Sequence, residues 1–86
     1  MTLAKIEFTL ADDSSFMKFR SRFVEAIAKQ DEKAFCSADV TGPGNKTITV
    51  QSALSHKQII AIADEMPGAT RRCGSGSSCF SIVFPS

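Results

Sequence analysis

Ala34-Phe35-Cys36-Ser37-Ala38-Asp39-Val40-Thr41-Gly42-Pro43-Gly44-Asn45-Lys46-Thr47-Ile48-Thr49-Val50-Gln51-Ser52-Ala53 is the stretch on which the architecture turns. Ala34 to Val40 alternates in polarity, and Lys46 to Ala53 does so again with Ile48 and Val50 on the inward side, which is the period of half-buried strands. Between them Thr41-Gly42-Pro43-Gly44-Asn45 is dense in turn formers. A short loop with glycine between two alternating runs predicts an antiparallel hairpin.

On the C-terminal side of the hairpin, Leu54-Ser55-His56-Lys57-Gln58-Ile59 carries two helix-start devices. Ser55 and Gln58 have the spacing of a capping box, and Leu54 and Ile59 that of a hydrophobic staple. Ile59, Ile62, Ala63 and Met66 then form a buried stripe, and Pro67-Gly68 stops the helix. On the N-terminal side, Ala11-Asp12-Asp13-Ser14-Ser15 supplies capping side chains and negative charge for a helix from about Ser15 to Gln30. Phe16, Phe19, Phe23, Ala26 and Ile27 share one stripe of it, with Lys18, Ser21, Arg22, Glu25 and Lys29 opposite. Arg20 lies toward the apolar side, its stem covering the core edge and its head in water.

The outermost runs complete the pattern. Leu3 to Leu10 alternates, with Ala4, Ile6, Phe8 and Leu10 on one face and Lys5, Glu7 and Thr9 on the other. Cys79 to Phe84 is a final strand with Phe80, Ile82 and Phe84 inward and Pro85 closing it at an edge. Strand, helix, hairpin, helix, strand is the order of a ferredoxin-like β-α-β-β-α-β sandwich of the α+β class: a four-stranded antiparallel sheet, strands one and three central, two helices on one face. An extra short hairpin, pairing Thr70–Cys73 with Cys79–Ile82, is a second reading of the loop Ala69 to Ser78.

The chain has 86 residues, 43% of them hydrophobic and 22% charged, and residues 1–86 are read as one globular domain. A net charge of +1 gives neither the basic excess of a phosphate-backbone binder nor the acidic excess of a nucleic-acid mimic. Met1 to Glu7 lacks the apolar run of a signal peptide, and no segment reaches the ~20 apolar residues of a membrane span, so a cytoplasmic setting with reduced thiols is expected for Cys36, Cys73 and Cys79. Cys36 is read as a small buried apolar residue.

Several chemistries common to this architecture fail at the residue level. The open face of the central strands would carry Lys5, Glu7, Thr9, Thr47, Thr49 and Gln51, with no ring on which an RNA base could stack. The first strand–helix loop holds no pair of cysteines, and His56 is the one histidine, so no metal or other cofactor is expected. Gly42-Pro43-Gly44-Asn45-Lys46-Thr47 resembles a phosphate loop only superficially, because a strand follows where that motif needs a helix. Arg71-Arg72-Cys73-Gly74-Ser75-Gly76-Ser77-Ser78-Cys79 has adjacent arginines that could favour a thiolate, but no base lies nearby and both arginines precede the sulfur. No catalytic residue is assigned and the protein is read as a non-enzyme.

What remains is an interaction protein, an adaptor or inhibitor that occupies a surface on a larger protein or complex. Size and fold class fit, by analogy only, a phage-encoded inhibitor of a host defence complex of the anti-CRISPR kind. The partner-binding candidates are Lys18, Arg22 and Lys29 on the first helix and Arg71 and Arg72 in the last loop, beside an edge strand able to accept a partner strand. The same five cations define the alternative, nucleic-acid binding through phosphate contacts. An exposed edge also permits a homodimer.

Overall fold

The structure is a computed structural model that describes residues 1–9, 12–42, 45–71 and 79–85. Its elements follow the expected order: β1 (Thr2–Thr9), α1 (Asp13–Gln30), β2 (Phe35–Gly42), β3 (Asn45–Ser52), α2 (His56–Asp64) and β4 (Cys79–Val83). The sheet runs β2-β3-β1-β4 with every neighbouring pair antiparallel, so β1 and β3 are central. In the register, Ile6 stands between Ile48 and Ile82, and Phe8 between Lys46 and Phe80. This is the ferredoxin-like arrangement that the hairpin between two helices implies. Leu10 and the Pro43-Gly44 turn lie outside the described residues.

Alternation along β1 sends Ala4, Ile6 and Phe8 into the core and leaves Lys5, Glu7 and Thr9 exposed. The helices cover the first set: Phe8 meets Phe16 and Phe19 edge-on at 5.1 and 4.9 Å between ring centres, and Phe80 at 5.6 Å. Phe19 also stacks on Phe23. Such ring pairs contribute about 0.5–1.5 kcal/mol beyond the area they bury, which makes the α1 phenylalanine stripe the centre of the core.

α1 begins two residues earlier than the expected start, and within the expected capping stretch it is Asp12 that caps it: its carboxylate accepts the Ser15 N–H at 3.1 Å. α2 has the full capping box, with Ser55 Oγ accepting from Gln58 N and Gln58 Oε1 from Ser55 N. It ends at Asp64, so Met66 packs against the core from just beyond the helix instead of from its last turn. In β4 Phe80 is buried and Ile82 half-buried against the core; the strand ends at Val83, one residue short of the expected run, and Phe84 packs half-buried just beyond it. Phe84 lies flat on His56, ring centres 3.9 Å apart.

The loop after α2 does not read as an extra hairpin within the described residues. Thr70 makes an isolated parallel bridge to Cys79, and Phe80 N–H donates to the Thr70 carbonyl at 2.9 Å. A segment that runs parallel to β4 cannot belong to a tight hairpin with it. Arg72 and Cys73 lie outside the described residues.

Candidate docking groove between α1 and the end of α2

Gly68 sets the geometry on the helical side. Its φ of +97° is open to glycine at little cost, and a Cβ there would lie 2.6 Å from the Ser15 carbonyl oxygen. The chain leaving α2 is thereby held against the backbone of α1. Immediately before this turn, Glu65, Met66 and Pro67 come alongside Arg22, Glu25, Ala26 and Lys29 of α1, enclosing a groove of about 310 Å³. Ala26 and Met66 form an apolar floor continuous with the core, and charged side chains form the walls.

The sequence candidates divide into three groups. Arg22 and Lys29 line the groove, with Lys18 exposed one turn before Arg22. Lys29 pairs with Glu25 at 3.4 Å, whereas Lys18 and Arg22 have no ion pair or hydrogen bond among the described residues. Arg71 is placed elsewhere: its Nε and Nη2 donate to the two carboxylate oxygens of Asp64 at 2.6 and 2.7 Å. A forked pair of this kind fixes the guanidinium in one geometry and occupies it, so Arg71 fastens the post-α2 loop to the helix end. Arg72 lies outside the described residues.

Other polar groups are committed to the fold. Lys46, on the inward side of β3, is only 6% exposed; its ammonium reaches Asp13 at 3.2 Å and lies 5.8 Å from the Phe16 ring centre. Asp31, just after α1, accepts from Lys33 N and Ala53 N and bonds Ser52, which ties the helix end to the end of β3. The Ala53 backbone bond is the strongest influence holding the Asp31 carboxyl below its ordinary pKa; desolvation, next in size, opposes it, and the Lys33 and Ser52 bonds add to the lowering.

Cys36 is half-buried, and burial raises its thiol pKa, an effect that nearby Arg20 offsets only in part. Cys36 is a free thiol, as expected, whereas Cys79 is disulfide-bonded, which corrects the expectation of a reduced thiol there; Cys79 begins β4 at the point where Thr70 returns beside the strand. Among the described residues no group of three or more His, Cys, Asp or Glu side chains is placed to hold a metal ion, and no helix is long and apolar enough to cross a membrane.

Two exposed residues escaped the sequence reading. Phe35 and Val40 lie near the two ends of the regular part of β2 and are 61% and 69% exposed. The signal for Phe35 was its phase, since it is out of step with the inward Cys36 and Ala38 and therefore stands on the open sheet face opposite Gln51. One ring at the rim of that face does not make the multi-base stacking surface that single-stranded RNA requires.

No family model matches the chain, and no curated protein matches it. Among solved structures it is similar to a de novo designed protein with a ferredoxin fold, determined by solution NMR. The likeness covers 99% of this chain and 84% of the designed one, at 14% identity and a TM-score of 0.59. At that identity it is a statement about the fold.

Proposed function

We propose that the protein is a protein–protein interaction module, an adaptor or inhibitor, that takes an apolar side chain of its partner into the groove between α1 and the α2 end. The observation that carries this reading is the groove itself: a floor of Ala26 and Met66 inside a rim of Arg22, Lys29, Glu25 and Glu65. An apolar centre with a polar rim, arginine included, is the build of an interface anchor pocket. Arg22 and Lys18 are available to acidic groups beside that anchor. A phage-encoded inhibitor of a host complex is one member of this class.

The phosphate-binding reading loses support from the same geometry. Of the five cations it enlists, Lys29 and Arg71 already have carboxylate partners. Neutralised lysines and arginines release few counterions, and the salt dependence of binding would be shallow.

The test is affinity capture of the tagged protein from lysate of its source organism, at high salt and after nuclease treatment, with Arg22→Glu/Lys29→Glu and Arg71→Glu variants in parallel. Retention of one stoichiometric protein by the parent and by Arg71→Glu, and its loss from the groove variant, is the expected result. Binding that survives only at low salt and vanishes with nuclease would replace this reading by the phosphate one.

A further inference from the structure

We infer that the protein forms a two-fold dimer by pairing β2 with β2 of a second copy, antiparallel, with Ser37 opposite Ser37 at the axis. This inference is independent of the groove. It begins from an asymmetry between the two sheet edges. Beside β4, Thr70 occupies part of the edge through its bridge to Cys79 and its carbonyl bond to Phe80 N–H. Among the described residues, β2 has strand pairing on one side only, to β3. Unpaired edges are normally blunted by lysine, proline or early bulges. From Phe35 to Val40, β2 contains no lysine and no proline, and its bulge comes only after Val40.

The residues of β2 also select the occupant and the register. Antiparallel partners lie on the same face, so a two-fold must place one residue opposite itself. With Ser37 at the axis, Cys36 meets Ala38 on the helix side, and Val40 comes opposite Ala34, the residue just before the strand. Cys36, Ala38 and Val40 thus each gain an apolar neighbour; Val40 is 69% exposed, so the helices stop short of this edge. On the open face Asp39, the only charge in the strand, meets Phe35 and not its own copy. A register centred on Asp39 would oppose two carboxylates, and one centred on Ala38 would draw the bulged segment beyond Val40 into the ladder. The product is a continuous eight-stranded sheet with all helices on one face.

Two measurements decide it. In a Cys36→Ala background, Ser37→Cys should form an interchain disulfide under mild oxidation, because directly opposed Cβ atoms lie about 4.5–5.5 Å apart. Asp39→Cys should not, its two copies being separated by roughly 13 Å along the strands. In sedimentation equilibrium the parent should reach twice the 9.3 kDa chain mass, and Ser37→Lys, which opposes two ammonium groups, should remain at the single-chain mass with unchanged far-UV circular dichroism. A parent that stays monomeric into the hundred-micromolar range, or crosslinking from Asp39→Cys as fast as from Ser37→Cys, overturns the inference. If Ser37→Lys fails to fold, the relative crosslinking rates still decide.

Discussion

Replacing Gly68 by alanine strikes a point where the post-α2 turn is pressed on the backbone of α1. Two costs arise together. An L-residue at φ +97° occupies left-handed backbone at about 1–2 kcal/mol. The new Cβ lies 2.6 Å from Ser15 O and 3.4 Å from Phe19 N, and both are main-chain atoms of a helix whose next turns hold the core phenylalanines. Relieving such overpacking costs about 1–3 kcal/mol more. The expected loss is about 2–5 kcal/mol, against roughly 4–13 kcal/mol for a domain of this length, and the melting midpoint should fall by at least about 8 °C. The chain contains no Trp or Tyr, so urea unfolding is best followed by far-UV circular dichroism. Gly68→Asn separates the two costs, because asparagine tolerates left-handed backbone yet carries the same Cβ. If contact with Ser15 dominates, Asn is as damaging as Ala; if the dihedral dominates, Asn recovers most of the loss. A Gly68→Ala protein within about 0.5 kcal/mol of the parent, a difference typical of neutral surface changes, would refute the reasoning.

The remaining predictions concern the core and two titrating groups. Phe8→Ala, which removes the ring between Phe16, Phe19 and Phe80, should cost about 3–5 kcal/mol in denaturant unfolding; a loss below about 1 kcal/mol would mean that the ring is not central. Folding lowers the Asp31 carboxyl from 3.8, so the unfolded chain binds that proton more readily; the stability Asp31 contributes is present above about pH 5 and is lost as pH falls below 4 through the lowered folded value. Asp31→Asn should therefore be less stable than the parent at neutral pH, with the gap closing in acid; a gap independent of pH would contradict the assignment. Burial raises the Cys36 thiol above 9.0, so iodoacetamide should label it slowly at neutral pH in the native state and much faster in urea. Equal rates would show an unburied thiol.

The fold was legible because each local signal agreed with its neighbours. The Ser55–Gln58 box and the Leu54/Ile59 staple needed only backbone geometry and short spacing; the box is formed, and Leu54 and Ile59 are both buried in the core. The α1 stripe was legible because 100° per residue assigns a face without knowledge of what covers it. What escaped depends on contacts distant in sequence. Lys46 begins a strand beside a turn, and nothing local announces that Asp13 and Phe16 will accept its buried ammonium. Arg71 read as a free cation because Asp64, seven residues earlier, is brought to it only by the turn at Gly68. The groove is half legible: Arg22 and Lys29 were on the outward face of α1 by periodicity, while Glu65 and Met66 arrive there through tertiary packing. Phe35 was visible as an out-of-phase ring, but its exposure follows from β2 being an edge, which topology alone decides.

The interaction claim is tested most directly by placing a photo-crosslinking amino acid at Glu25, within the groove, and in a second variant at Lys5, on the open sheet face. Both positions are exposed, so either label leaves the core intact. After irradiation in lysate of the source organism, the Glu25 label should give one nuclease-resistant protein adduct of defined mass that the Lys5 label does not give, and adding Arg22→Glu should abolish it. Identical adducts from both positions, or adducts that disappear with nuclease, would contradict a protein-docking groove.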